Sequence, residues 1–185
     1  MKEQSFEIFL NALLSATEKI EEKYFHLPVT YRAYIYRERA YCYELYHQIR
    51  KLLPIDFQYV LSGEINKAGH PLIVGSCGSI TPDFLVHNPG HMGGDDNLAI
   101  IEVKTIIGAD FTTEGEGLLK DIETIQCMTS IKNGYYKGII VIFGSENNEK
   151  KTQIERIYKE RCDTEKVILI IHDNPLERAR LFLSQ

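Results

Sequence analysis

The chain is predicted to fold as one α/β domain, a mixed β-sheet flanked by helices, with an extra helix at its N-terminus. Three observations carry that expectation. Apolar residues recur at three- and four-residue spacing over 3–24 and again over 31–53. Beyond Pro54 the pattern changes to short β runs at 57–65, 81–87 and 98–105, the last of them rich in β-branched residues. From about residue 112 onward helical and strand patterns alternate, which implies crossover connections and some parallel pairing.

The elements follow in order. Phe6, Leu10, Leu13, Thr17, Ile20 and Tyr24 form the stripe of a helix over 3–24, which Pro28 breaks. A second helix is expected from Tyr31 to Leu53, with Tyr41, Leu45, Ile49 and Leu52 on one face and Pro54 as its stop. The strands 81–87 and 98–105 are separated by an Asn/Pro/Gly/His/Asp loop at 88–97 and read as a hairpin with a long tip. Thr112 or Thr113 followed by Glu116 resembles a helix start, and that helix carries Leu119, Ile122, Ile125 and Met128 up to Asn133-Gly134. Strand 138–144, helix 147–162, strand 166–173 and a short helix begun by Asn174-Pro175 complete the chain.

Composition bounds the function. A length of 185 residues fits a single domain, 1–185, with one sizeable core. The net charge of -5 excludes a polycation that coats nucleic acid, so any such contact must be a local basic patch. No apolar run approaches the roughly 18 residues of a membrane span. The N-terminus MKEQSFEIFL lacks the apolar core of a signal peptide, so a cytoplasmic protein is expected. Cys42, Cys77, Cys127 and Cys162 have no paired spacing and read as reduced thiols.

Charge in the middle of the hairpin is the anomaly. The strand 81–87 carries Asp83, and the strand 98–105 carries Glu102 and Lys104. Glu102 and Lys104 are two apart, so they share a face with Ile100, while Ile101 and Val103 face the other way. A register that sets Asp83 opposite Glu102 would bring two carboxylates and one ammonium together. Carboxylates at that separation repel and lose hydration, and a divalent cation between them relieves both costs. Magnesium, or manganese, suits such a site, taking few carboxylates plus waters and phosphate oxygens.

Pro82-Asp83, a gap, and Glu102-Val103-Lys104 resemble the PD-(D/E)xK signature of the restriction-endonuclease-like nucleases. The order of elements from 31 to 144 is similar to that superfamily's core of a helix, three antiparallel strands, a helix and a further strand, leaving an αβα extension at the C-terminus. The resemblance implies a metal-dependent nuclease acting on nucleic acid, DNA in the first instance. Asp83 and Glu102 would bind the metal and Lys104 would assist the attacking water. It also implies a further acid from the first core helix. Glu44 is favoured, with Glu38 on the same helix and Glu64 on the first core strand as alternatives.

The competing expectation is a non-catalytic interaction module that keeps the fold, which the acidic net charge favours. For either reading, a chain this small and acidic is expected to gain affinity for nucleic acid from a protein partner or a homodimer. His87, His91, Asp95 and Asp96 read as a solvated hairpin tip, with a ligand role the lesser reading. Most tyrosines of 31–46 read as helix packing, with base stacking the alternative. Arg32, Arg37, Arg39, Arg50 and Lys51 fit either phosphate contacts or a solvated helix face. A nucleotide-binding loop is disfavoured, because "GSCGSITPD" leads into a strand and not a helix.

Overall fold

The computed structural model describes residues 1–30, 33–65, 77, 80–91, 93–111, 116–145 and 148–182. Among these, helices α1 (Lys2–Thr17), α2 (Glu22–Phe25), α3 (Glu38–Leu52), α4 (Gly117–Ser130) and α5 (Asn148–Arg161) surround two sheets. Strands β1 (Leu27–Thr30) and β2 (Ala33–Ile35) form a small antiparallel pair. Strands β3 (Val60–Gly63), β4 (Phe84–His87), β5 (Asn97–Thr105), β6 (Lys137–Phe143), β7 (Val167–His172) and β8 (Arg180–Phe182) form a six-stranded sheet in sequence order. It is mixed: β3, β4 and β5 are antiparallel, β5, β6 and β7 are parallel, and β8 returns antiparallel.

Strand parity divides the core in two. Ile101, Val103, Val141 and Phe143 pack against Phe6, Phe9 and Leu13 of α1 and Tyr41, Leu45 and Ile49 of α3. Leu85, Ile100, Ile140 and Ile142 pack on the opposite face against Leu118, Ile122 and Ile125 of α4 and Ile154 and Tyr158 of α5. The sheet is therefore covered on both faces, and β6 and β7 are almost wholly apolar, as buried parallel strands are. No described helix is long and apolar enough to cross a membrane.

Four expectations are corrected. The first helix does not run to 24. It stops at Thr17, whose hydroxyl donates back to the Leu14 carbonyl at 2.7 Å and accepts the Ala179 N–H at 2.8 Å. That buried link to the C-terminal segment competes with continuation of the helix. The second helix begins at Glu38, not at 31, because 27–35 forms the β1–β2 pair. Tyr34 and Tyr36 recur with a period of two and pack their rings on His26, centroids 4.4 and 5.0 Å away. The segment after Asn174-Pro175 is not a helix. Leu176 adopts φ 59°, its N–H donates to the Ile20 carbonyl at 2.9 Å, and Arg180 pairs with Ile171 in the sheet. Finally, Cys77 and Cys127 are joined in a disulfide, and only Cys42 and Cys162 are free thiols. Their separation of 50 residues hid a pair that the fold brings together. Tyr31, Arg32, Thr112 and Thr113, and the glycines of "GSCGS", lie outside the described residues.

Candidate active site

The site grows from the start of β4. Phe84 pairs with Ile101 and Leu85 with Ile100, so Asp83, one residue before the strand, falls beside Glu102. Two backbone links hold it there. The Val103 N–H donates to Asp83 Oδ2 at 2.7 Å, and the Glu64 N–H donates to the Asp83 carbonyl at 2.9 Å. Glu102 follows Ile100 on the α4 side of β5 and retains 9% exposure. Lys104 is next on that face, at the open end of the strand beyond the last β4 partner.

Two acids from the helices complete the cluster. Lys104 Nζ lies 3.4 Å from Asp121 Oδ2 of α4 and 3.5 Å from Glu38 Oε2 in the first turn of α3. Asp121 is buried on the helix face that also carries Leu118, Ile122 and Ile125, and among the described residues the Lys104 ammonium is what faces its Oδ2. Asp83, Glu102, Glu38 and Asp121 thus surround one lysine.

The electrostatics follow from burial. Desolvation pushes the Asp83 carboxyl up to about 6, against the Val103 N–H that favours its charge, and Glu38 adds repulsion. Glu102 is held well above the usual range by burial first, then by Asp83 and Asp121. Asp121 is pushed up to about 6 by burial, which outweighs the attraction of Lys104. For Lys104 burial works against the charge, yet Asp121 and Glu38 together leave its pKa raised. The ammonium is thus held charged, while the carboxyls of Asp83, Glu102 and Asp121 are all shifted toward protonation.

Glu44 does not join this group. Its carboxylate accepts from Gln48 Nε2 at 2.6 Å, one turn along α3, and lies close enough to Lys23 to interact with it. Glu64 turns outward and pairs with Arg39 at 3.1 Å. In the hairpin tip, Asp96 is tied to the Gly93 N–H at 3.0 Å and to Asn88 Nδ2 at 3.3 Å, and Asp95 sits 3.9 Å from Lys2. Arg37, Arg39, Arg50 and Lys51 are exposed.

Sequence reasoning missed Asp121. Its signal was present, since an acid three residues after Leu118 and four before Ile125 occupies a core position of an amphipathic helix.

Among the described residues no group of three or more His, Cys, Asp or Glu side chains converges to hold a metal. The donor chemistry of the pair is nonetheless suited to a hard divalent cation. Two adjacent buried carboxylates, both shifted toward protonation, gain most from a positive charge between them. Magnesium needs only one or two carboxylates, completing its shell with water and phosphate oxygens.

No protein-family model, curated protein or solved structure matches the chain in comparisons with each.

Proposed function

We propose that the protein is a metal-dependent nuclease of the restriction-endonuclease-like kind, hydrolysing phosphodiester bonds in nucleic acid. The observation that supports this most directly is Asp83, Glu102 and Lys104 on neighbouring strands, with Asp83 pinned to the Val103 N–H. The strand order supports the same reading: α3, the antiparallel β3–β4–β5, then α4 and a parallel β6 follow the succession of that superfamily's core.

In this mechanism Asp83 and Glu102 would be the residues that hold magnesium or manganese. The ion would supply Lewis acidity toward the phosphodiester and the attacking water. Lys104 is held charged by Asp121 and Glu38, so it donates hydrogen bonds to the attacking water and offsets the charge that builds on phosphorus. Asp121 and Glu38 act as positioning residues for that ammonium.

A non-catalytic interaction module remains the second reading, favoured by the net charge of -5. A cleavage assay separates the two. Single- and double-stranded DNA and RNA are incubated with magnesium or manganese, beside Lys104→Ala. Cleavage that needs both the ion and Lys104 is expected. A wild type that neither cuts any of them nor binds a divalent ion in their presence sinks the nuclease reading.

A further inference from the structure

Beside Asp83 the surface opens into a cleft of about 370 Å³. Tyr43, Tyr46, Gly63, Glu64 and Phe84 line it, and Asp83 forms part of its wall. Three features distinguish it from an ordinary hollow.

The first is Tyr43, 62% exposed although it is a large aromatic on the middle of a helix. Helix packing does not account for it, because α3 buries Tyr41, Cys42, Leu45 and Ile49. The second is the periodicity of the outer face of α3. Arg39, Tyr43, Tyr46 and Arg50 follow one another at steps of four, three and four residues, so they form one stripe along the helix. The stripe spans about 16 Å at the helical rise. Guanidinium groups stand at its two ends and tyrosines between them. Arg50 already lies over the Tyr46 ring, 6.0 Å from its centroid. The third feature is Glu64, a non-glycine residue at φ 43°. Its N–H is tied to the Asp83 carbonyl, and the left-handed backbone turns its carboxylate to the rim of the cleft, against Arg39. Backbone strain of this kind persists where the surroundings impose it, and it clusters at functional positions.

We infer that the cleft takes an unpaired nucleobase, so that the substrate is single-stranded nucleic acid or a frayed end whose scissile phosphate lies at Asp83. The inference rests on the nuclease reading for the position of that phosphate. Tyr43 supplies a stacking face, which accepts any base because every base has a π-face. The Glu64 carboxylate is placed to accept from an exocyclic amine. Arg39 and Arg50 meet the phosphates on either side of the stacked base. The Arg39–Glu64 pair is half exposed, so opening it toward a phosphate costs little. A stacked duplex cannot present a base to Tyr43 without unpairing it, which is the basis of the preference.

The test is binding, with calcium in place of magnesium to hold back cleavage. The probe is a short oligonucleotide carrying 2-aminopurine, used alone and annealed to its complement. The wild type is expected to bind the single strand more tightly than the duplex and to change the probe's emission. Tyr43→Ala should weaken single-strand binding on the order of 5- to 100-fold, whereas Tyr43→Phe, which keeps the ring, should stay within about 2-fold. Tyr43 is exposed, so both variants should melt with the wild type. Equal binding by wild type and Tyr43→Ala, no binding of the single strand by the wild type, or a preference for duplex each overturns the inference. Cleavage is then read separately in magnesium. A protein that binds through Tyr43 yet cuts nothing overturns the nuclease reading and supports the cleft. One that cuts, with Tyr43→Ala indistinguishable from wild type in binding and in rate, overturns the cleft and leaves the nuclease.

Discussion

Asp83 Oδ2 accepts the backbone N–H of Val103 at 2.7 Å, so the carboxylate is tied to the strand at the residue that separates Glu102 from Lys104. The Asp83 and Glu102 carboxyls are also linked to each other by a side-chain hydrogen bond. The bond from Val103 orients Asp83 and favours its charged form, while burial opposes that form more strongly. The result is a carboxylate pair held together at a cost that a bound cation would relieve under the proposed function.

Neutralising either member should therefore separate function from stability. Asp83→Asn retains an oxygen for the Val103 N–H, and Glu102→Gln keeps its volume. Magnesium affinity by calorimetry should fall by at least the roughly 10- to 100-fold that loss of a metal's outer partners costs, and cleavage should be lost with it. Metal-free stability should stay level or rise, since like charge has been removed. Unchanged magnesium affinity in both variants would count against the pair as ligands.

The pH dependence of stability has a defined sign. The Asp83 carboxyl titrates at about 6 in the folded protein against an ordinary 3.8. Between those values the native state binds more protons than the unfolded state, so this contribution is complete below 3.8 and is lost as pH rises through 6. A shift of about two units corresponds to roughly 3 kcal/mol at most. Burial lowers His172 to about 4, which acts in the opposite sense: its contribution is full above 6.5 and is lost as pH falls toward 4. The comparison of wild type with Asp83→Asn cancels His172. The variant should gain on the wild type between pH 4.5 and 7.5 in urea midpoints, and saturating magnesium should narrow that gap. A flat difference refutes the assignment.

The hairpin was legible because Asp83 and Glu102 carry charge in apolar strands and a strand's period of two sets their faces. Lys104 was legible by the same parity. The helical acids were harder. Glu44 borders the apolar stripe of α3 and looked suitable, but side-chain position on a helix also depends on where the helix starts. Residues 33–35 go into β2, so Glu38 lands in the first turn, at the end of α3 that reaches Lys104. Asp121 announces itself only when the stripe of α4 is read for what interrupts it. The disulfide and the turn at Leu176 arise from contacts between distant segments, which local patterns do not encode.

The exchange of Glu44 for Glu38 is testable with two isosteric variants. Glu38→Gln removes one of the two carboxylates beside Lys104 and should lower the cleavage rate about 10-fold or more, through weaker electrostatic positioning. Glu44→Gln leaves the Lys104 neighbourhood intact and should cut like wild type. Inactivation by Glu44→Gln with full activity in Glu38→Gln would restore Glu44 as the further acid.

The Cys77–Cys127 bond ties the segment before Asp83 to α4, the helix that carries Asp121. Closing a loop of 50 residues removes unfolded-state entropy worth roughly 4 kcal/mol in the chain-entropy account. Dithiothreitol should lower the melting temperature, and denatured protein should titrate two thiols before reduction and four after it. Four thiols without reductant would remove the bond from the account.

Lys104 supplies the sharpest separation between the nuclease and a passive charged cluster. Its ammonium faces Asp121 at 3.4 Å and Glu38 at 3.5 Å, while Asp83 and Glu102 remain available to a metal. Lys104→Ala should thus keep magnesium affinity close to wild type in calorimetry and lose cleavage by a factor on the order of 100 or more. It should also be less stable at neutral pH, because Asp121 is buried and loses the cation that faces it, a cost of about 1–3 kcal/mol. Protonating Asp121 removes that cost. Its pKa, already about 6, should rise further in the variant, so the stability difference from wild type should shrink as pH is lowered toward 5. A merely structural lysine would show the stability loss with cleavage intact. A catalytic lysine unconnected to Asp121 would show the loss of cleavage with no pH-dependent stability difference. Only the arrangement in which Asp121 holds the charge of Lys104 in place produces both signatures in one variant.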